Sequence, residues 1–233
     1  VITAGLFLGV LNTALTETHI MMNVNVKPFD DIRVRQAVAM AWDREGMAQT
    51  FRSGYRLSGP FPAELDGGMT VEEQNESYAY DVEGAKKLLA EAGFPDGFSV
   101  ELLTTDGYGA VIMNEAQWVQ EDLKKIGVNA TLKIIDYATY FSTFGAKDYD
   151  LGWGLSTAFL NADEWLQALY VSTGPRNWFN TNDSKLDAMI AEQRSILDDD
   201  DREDKLHEIN RYILENVLTP FMGVQYSSLT TQQ

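Results

Sequence analysis

The sequence predicts an α/β fold in which a mixed, mostly parallel sheet is flanked by helices. The central observation is a strand at Phe98–Leu103, a helix that runs to Gly127, and a second strand at Val128–Ile135. This spacing is typical of a βαβ crossover, which pairs its two strands in parallel. Further helix and strand patterns occur on both sides of the crossover, as one α/β layer fold requires. The 233 residues suffice for one such domain.

The first part of the chain predicts a strand and two helices. Residues Ile20–Val26 have the β-branched content of a strand, and Asp30–Trp42 carry a helical apolar stripe. Asp43 is a favourable N-cap for a short helix that ends near Gly54. Residues 55–80 combine two prolines and three glycines with scattered polar residues, so we interpret them as a long surface loop.

The clearest helix signals begin at Asp81. This residue is a suitable N-cap, apolar residues recur on one face after it, and Gly93 and Pro95 terminate the pattern. The helix of the crossover follows a turn at 104–109.

The second half of the chain predicts three more helices and two strands. A helix at Tyr137–Ala146 precedes a short strand at Tyr149–Leu155, and an apolar stretch at Pro220–Tyr226 is interpreted as a returning strand. Two amphipathic helices lie between these strands, at about Asp183–Leu197 and Asp201–Val217.

Composition excludes several classes of partner. The chain has 18 basic and 35 acidic residues, a formal net charge of −17, which argues against nucleic acid and against an anionic membrane surface. It has no cysteine and only two histidines, so we predict no metal and no cofactor. The apolar start, Val1–Leu11, lacks a basic region and is too short to span a membrane, so we interpret it as part of the mature chain.

Several ordered sequence blocks resemble the family 5 extracellular solute-binding proteins of ABC importers, which include dipeptide- and oligopeptide-binding proteins. The order and spacing of these blocks carry the resemblance. They are Lys27–Ala37 followed by Ala41–Glu45, then Tyr80–Asp81 with Ala85–Phe98, Leu123–Val128, and Tyr149–Leu151.

The resemblance implies a non-enzymatic lobe of the periplasmic-binding-protein type. Residues 1–233 correspond to the second, C-terminal lobe of a two-lobed receptor, whose export signal and first lobe are not in this chain. Such a receptor is periplasmic, or extracellular and membrane-anchored. It captures a solute between its lobes and delivers it to an ABC permease after hinge closure. The favoured cargo is a peptide, and a saccharide is the alternative.

Two segments are predicted to line the ligand cleft. The first follows the carboxyl end of a predicted parallel strand, where ligands bind in open α/β sheets. The second combines aromatic and hydroxyl side chains suited to stacking and neutral hydrogen bonds. The predicted ligand-binding residues are Thr104, Thr105, Asp106 and Tyr108 in the first segment, and Trp153, Ser156, Thr157, Phe159 and Asn161 in the second. Trp153 shares one face of its predicted strand with Tyr149, Leu151 and Leu155, so a buried position in the core is the alternative to a place in the cleft.

In peptide-binding members of the family, a Trp-x-x-Asp carboxylate neutralises the ammonium group of the peptide. Alignment places Ala158 or Phe159 where that acid would stand, so the acidic anchor is missing. Asp163 could replace it if the loop is kinked. Without the anchor, the charge of −17 does not indicate a cationic cargo.

Three patterns have competing interpretations. Gly154–Ala158 partly matches a nucleophile elbow, so the enzymatic alternative is a serine hydrolase that uses Ser156 with Asp163 and His207. Asp198–Asp201 is interpreted as a helix cap, against a calcium site. The aromatic stripe that begins at Tyr137 is interpreted as core packing. A docking or sensing module without a small ligand is the third functional alternative.

Overall fold

The computed structural model describes residues 16–52, 55–57, 59–61, 65–70, 72–73, 76, 79–157, 159, 161–218 and 220–225. Within these residues, six strands form one sheet. The strands are β1 Thr16–Met22, β2 Tyr55–Leu57, β3 Phe98–Thr105, β4 Val128–Ile135, β5 Leu151–Thr157 and β6 Phe221–Gln225. Their order in the sheet is β2-β6-β1-β5-β3-β4. The apolar start of the chain, Val1–Leu11, lies outside the described residues.

Helices cover both faces of this sheet. The first face carries α1 Ile32–Ala41, α2 Arg44–Phe51, α3 Val82–Glu91 and α4 Ala110–Lys124. The second face carries α5 Tyr137–Ala146, α6 Ala162–Trp165, α7 Ser184–Gln193 and α8 Asp199–Glu215. A π-helical turn, Leu166–Tyr170, continues α6, and a 3₁₀ turn, Asp106–Tyr108, follows β3. Among the described helices, none has the length and apolar character needed to cross a membrane.

The sheet is mixed, as predicted, but fewer of its pairings are parallel than expected. Strand β3 pairs in parallel with β4 and β5, which confirms the crossover. Strand β1 pairs antiparallel with β5 and β6, and β2 pairs antiparallel with β6. Three of these five pairings are therefore antiparallel: two arise because β1 inserts between two strands that run in the opposite direction, and the third joins β2 to β6.

The pairing register defines two ends of the sheet. Strands β3, β4, β5 and β6 finish at one end, which we call the carboxyl end. The last residues of β3 and β4, Thr105 and Ile135, pair there. Strand β1 runs in the opposite direction, so its first residue, Thr16, lies at this end and pairs with the last residues of β5 and β6, Thr157 and Gln225. The opposite end, at which β3, β4 and β5 begin, is called the amino end. The carboxyl end is where an open α/β sheet offers a ligand site.

Local helix signals are confirmed by the caps that the structure shows. Asp31, Asp43 and Asp81 each accept a hydrogen bond from a backbone N–H in the first turn of the helix that follows. Gly93 has φ +96°, a conformation that favours glycine at a helix end. Asp198 accepts hydrogen bonds from the N–H groups of Asp200 and Asp201, so the capping interpretation of the four aspartates is confirmed.

Strand boundaries differ from the prediction where side chains interact with the backbone. Strand β1 ends at Met22, before the predicted Val26, because Asn23 turns the chain and donates hydrogen bonds to the carbonyl oxygens of Lys147 and Tyr149. The same contacts hold Tyr149 outside β5, which begins at Leu151. The predicted 55–80 loop contains a strand, β2, and buries Phe61 and Met69 in the core.

Close packing on the second face explains the glycines of β5. Phe144 and Tyr140 of α5 lie directly over Gly152 and Gly154, so a Cβ atom at Gly152 would stand 2.5 Å from the Phe144 ring. The Tyr140 hydroxyl donates a hydrogen bond to the Trp153 carbonyl oxygen at 3.1 Å. The core interpretation of the aromatic stripe is therefore confirmed for Tyr140 and Phe144.

Candidate functional site

The predicted turn after β3 lies at the carboxyl end of the sheet. Thr104 and Thr105 are fully buried, and the Thr105 hydroxyl accepts a hydrogen bond from the Gly107 N–H at 3.2 Å. The Thr104 hydroxyl oxygen is buried and has no hydrogen-bond partner in the described part of the chain. Asp106 is exposed and Tyr108 is half-buried. The threonines therefore shape the turn, and its later residues face outward.

Beside this turn, aromatic side chains form a partly exposed surface. The Tyr137 ring lies 5.1 Å from that of Tyr108 and 4.9 Å from that of Phe141, measured between ring centroids, and both pairs are edge-to-face. Such pairs have a favourable geometry and hold each other in place. We call Tyr108, Tyr137 and Phe141 the aromatic rim; Phe159 follows the last residue of β5, at the same end of the sheet. Tyr137 keeps 46% of its surface exposed, so the rim offers apolar area to a ligand.

Arg176 brings a positive charge to the rim. Its guanidinium carbon lies 5.4 Å from the centroid of the Phe159 ring, in a cation–π contact. Burial raises the pKa of the Tyr108 hydroxyl, the neighbouring Tyr137 hydroxyl raises it further, and Arg176 acts in the opposite direction. Tyr108 therefore stays protonated at neutral pH and can donate a hydrogen bond.

The loop that carries Arg176 is fixed by internal hydrogen bonds. The buried Asn177 side chain donates to the carbonyl oxygens of Ser172 and Thr181, and it accepts from the Thr181 N–H at 2.9 Å. The Arg176 N–H donates to the Ala168 carbonyl oxygen at 2.9 Å. These bonds place Arg176 beside the rim without help from a ligand.

The second predicted segment divides between the core and the surface. Trp153 is fully buried and packs edge-to-face on Trp42, which follows α1, with the ring centroids 5.4 Å apart. The structure therefore places Trp153 in the core and not in the cleft. Ser156 and Thr157 belong to β5, and their side chains lie outside the described part, as does Ala158. Phe159 is half-buried and contacts Trp165.

Asn161 and Asp163 organise the helix that follows. Asn161 is exposed, and its side-chain oxygen accepts a hydrogen bond from the Glu164 N–H at 2.9 Å, so it caps α6. The two carboxylate oxygens of Asp163 contact Gln193 at 2.5 Å and Arg194 at 3.5 Å. This acid is therefore engaged with α7.

The strand–turn–helix geometry of a nucleophile elbow is not formed around Ser156. This residue lies inside β5, and the next described helix begins only at Ala162. His207 of α8 lies 3.6 Å from Glu73, and Asp163 contacts α7. The Asp163 and His207 side chains of the hydrolase alternative thus contact different partners.

Two rim residues, Tyr137 and Phe141, and the neighbouring Arg176 were missed or misread in the sequence. Tyr137 and Phe141 belong to a helical stripe that we interpreted as core packing, and this is wrong for Tyr137, which lies outside the core. An aspartate N-cap at 136 was a usable signal, because the first turn of a helix after a parallel strand stands at the carboxyl end. No local pattern distinguishes Arg176 from other loop arginines.

Comparisons with known proteins identify the family of this chain. The sequence profile of the family described as "Bacterial extracellular solute-binding proteins, family 5 Middle" matches residues 10–177. The glutathione-binding protein GsiB of Salmonella typhimurium is 29% identical over 181 residues, which cover 74% of this chain and 34% of GsiB. Heme-binding protein A of Haemophilus influenzae is 29% identical over 225 residues, 91% of this chain and 40% of that protein.

A solved structure supports the fold. The dipeptide-binding protein of a Pseudoalteromonas species, in complex with Met-Leu, superposes with a TM-score of 0.82 at 23% identity, over 94% of this chain and 45% of that one. The chain thus spans 34% to 45% of the lengths of these three proteins. Since the family profile matches most of its length, the chain belongs to the bacterial extracellular solute-binding proteins of family 5.

Proposed function

We propose that this chain forms one lobe of the substrate-binding component of an ABC importer, and that its carboxyl end is one wall of the solute cleft. The observation that carries the proposal is the aromatic rim. Partly exposed aromatic rings at the carboxyl end of an α/β sheet are suited to bury a small ligand when a second wall closes on them.

The relatives support a small organic solute as cargo. Their names assign glutathione, heme and a dipeptide to three of them. A peptide is our first candidate, because two of these ligands are peptides. A saccharide is the second, because aromatic rings also stack on sugars. The remaining part of the receptor would supply the second wall, and an ABC permease would receive the cargo outside the cytoplasm.

Ligand-shift melting of the full-length protein tests this function. Pools of short peptides and of oligosaccharides are added separately, and a ligand that binds the folded state raises the melting temperature. We expect one pool to stabilise the protein. If no pool changes the melting temperature, the protein is not a receptor for these cargoes.

A matched pair of tyrosines locates the binding site. Tyr137 and Tyr80 have 46% and 47% of their surfaces exposed, but Tyr80 precedes α3 and contacts Lys125. Tyr137→Ala should reduce the ligand shift strongly, and Tyr80→Ala should leave it unchanged. Equal shifts in both variants would place the ligand away from the rim.

A further inference from the structure

Strands β3 and β5 separate before they reach the carboxyl end of the sheet. Their parallel pairing stops at Leu103 and Gly152, whereas β3 stays paired with β4 as far as Thr105. When a strand leaves its neighbour, the next backbone groups of that neighbour need other partners if they are buried. The first residue of β5 beyond this pairing is Trp153, which is fully buried.

The Trp153 carbonyl group points to the side of β5 on which β3 lies. The Ile20 N–H donates to the Pro220 carbonyl oxygen at 3.2 Å, so Ile20 turns its backbone groups away from β5. In an antiparallel ladder, the residue opposite such a residue also directs its backbone groups outward, and Trp153 is opposite Ile20. The Trp153 carbonyl oxygen therefore lies at a level of the sheet where β3 no longer pairs with β5.

The Tyr140 hydroxyl of α5 takes the place of that strand partner. It donates to the Trp153 carbonyl oxygen at 3.1 Å, and the Tyr140 side chain is fully buried. Burial raises the pKa of this hydroxyl well above its ordinary value, so it remains a donor. Gly154 leaves the space that the hydroxyl needs, because a Cβ atom there would overlap the hydroxyl oxygen. The hydroxyl therefore links α5 to β5 at the point where β3 separates.

The ring of Tyr140 supports two residues of the aromatic rim. Its centroid lies 6.1 Å from that of Tyr108 and 5.5 Å from that of Phe141, and both pairs are edge-to-face. Tyr137, the most exposed residue of the rim, packs in turn on Tyr108 and Phe141. Tyr140 thus contacts β5 through its hydroxyl and the rim through its ring.

We propose that Tyr140 is a positioning residue for the solute site. Its hydrogen bond to β5 sets where Tyr108 and Phe141 stand, and through them it sets the affinity for a ligand that lies on the rim. Tyr140 is buried and acts only through these neighbours. Side chains that contact a ligand keep a productive geometry when packing and hydrogen bonds behind them are fixed. This inference rests on the proposed receptor function and adds the residue that prepares its site.

Fluorine NMR of the full-length protein labelled with 3-fluorotyrosine tests the position of the rim without a ligand. Tyr108→Phe and Tyr137→Phe identify the signals of these two rings. Tyr140→Phe removes only the hydroxyl, and we expect it to shift or broaden both signals. Tyr170→Phe is the matched control, because Tyr170 is also fully buried and its hydroxyl donates to the Pro60 carbonyl oxygen at 3.3 Å. It should leave both signals unchanged.

Calorimetry with the dipeptide Phe-Phe measures the consequence for binding, because its aromatic side chains suit the rim. We expect Tyr140→Phe to weaken binding at least about fivefold, and Tyr170→Phe to retain full affinity. Each variant loses one buried hydrogen bond to a carbonyl oxygen, so a purely structural role would affect both alike.

Gly154→Ala disturbs the same contact from β5, and it replaces Tyr140→Phe if that variant does not fold. The new Cβ atom displaces the Tyr140 hydroxyl, so the signals of Tyr108 and Tyr137 should change again. Unchanged signals, or full affinity for Phe-Phe in Tyr140→Phe, would overturn the positioning role while the receptor function stands. If the unaltered protein binds no peptide and no saccharide, the receptor function is contradicted instead, and the fluorine signals alone decide whether Tyr140 positions the rim.

Discussion

At the amino end of the sheet, the loops that precede β3 and β4 meet backbone to backbone, at Gly97 and Gly127. Asn23 closes the same end with hydrogen bonds to two carbonyl oxygens. At the carboxyl end, by contrast, the loops meet through aromatic rings, and Tyr137 keeps 46% of its surface exposed. The amino end thus uses its polar groups for its own structure. The carboxyl end keeps side chains available to a ligand.

Gly97→Ala should show the largest effect on stability, because the close contact between Gly97 and Gly127 leaves no space for a side chain at Gly97. Gly97 has φ +75°, and a Cβ atom there would stand 1.9 Å from the Gly127 carbonyl oxygen. We expect a loss of at least about 3 kcal/mol in the free energy of unfolding, measured by urea denaturation. Gly145→Ala is the control. Gly145 is exposed in α5 with open space around it, so alanine should stabilise the protein by up to about 1 kcal/mol. Equal changes in the free energy of unfolding for Gly97→Ala and Gly145→Ala would contradict the close packing of the amino end.

Asn23→Ala should destabilise the amino end by about 2–3 kcal/mol, because buried hydrogen-bonding groups lose their partner. The side chain donates to Lys147 and Tyr149, and it accepts from the Asn180 side chain at 2.9 Å. Asn129→Ala, at an exposed position of β4, should change stability by less than about 0.5 kcal/mol. A small effect at Asn23 would show that this end tolerates unpaired carbonyl groups. Chemical denaturation measures both variants.

The centre of the sheet, like the amino end, is closely packed, so a buried histidine there should make the free energy of unfolding depend on pH. Burial lowers the pKa of His19 in β1 to about 3. Between pH 6.5 and 3 the unfolded chain binds a proton that the folded chain rejects, so the free energy of unfolding should fall by about 1.4 kcal/mol per pH unit as the pH decreases. Urea denaturation at pH 7 to 4.5 measures this slope. His19→Gln should reduce it, whereas His207→Gln, at a partly exposed position, should retain it. Identical slopes would show that His19 titrates normally.

Asp106→Ala should have the smallest effect, because the carboxyl end does not depend on this exposed side chain. We expect less than about 0.5 kcal/mol in urea denaturation. A loss above about 1 kcal/mol would mean that the turn after β3 is held as tightly as the turns of the amino end.

Local signals made much of the fold predictable. Asp81 and Gly93 bound one helix because a side-chain cap and a positive φ act within a few residues. The parallel pairing of β3 with β4 followed from the spacing of the crossover. The position of β1 between β5 and β6 was not predictable, because its partners are distant in the sequence and nothing in β1 specifies them.

The end of the sheet at which the candidate site lies was predictable, but most of the residues that form the site were not. The turn at Thr104–Tyr108 follows from a strand end, a local feature. The alternation of β5 allowed Trp153 either face, and only its contact with Trp42 decides between them. Arg176 reaches the rim through the path of a loop, which depends on the buried hydrogen bonds of Asn177. Such tertiary hydrogen bonds leave no periodic pattern in the sequence.

The pairing of β1 also has a consequence for biosynthesis. Thr16 faces Gln225, so the two strands are separated by about 200 residues of chain. At about 5–20 residues per second, the ribosome needs roughly 10–40 s to make the partner after β1 has been made. For about the first two thirds of that time β5 is also incomplete, so β1 has neither neighbour, and an unpaired strand edge is prone to aggregate. The part of the sheet formed by β2, β6 and β1 can therefore assemble only after β6 has been made.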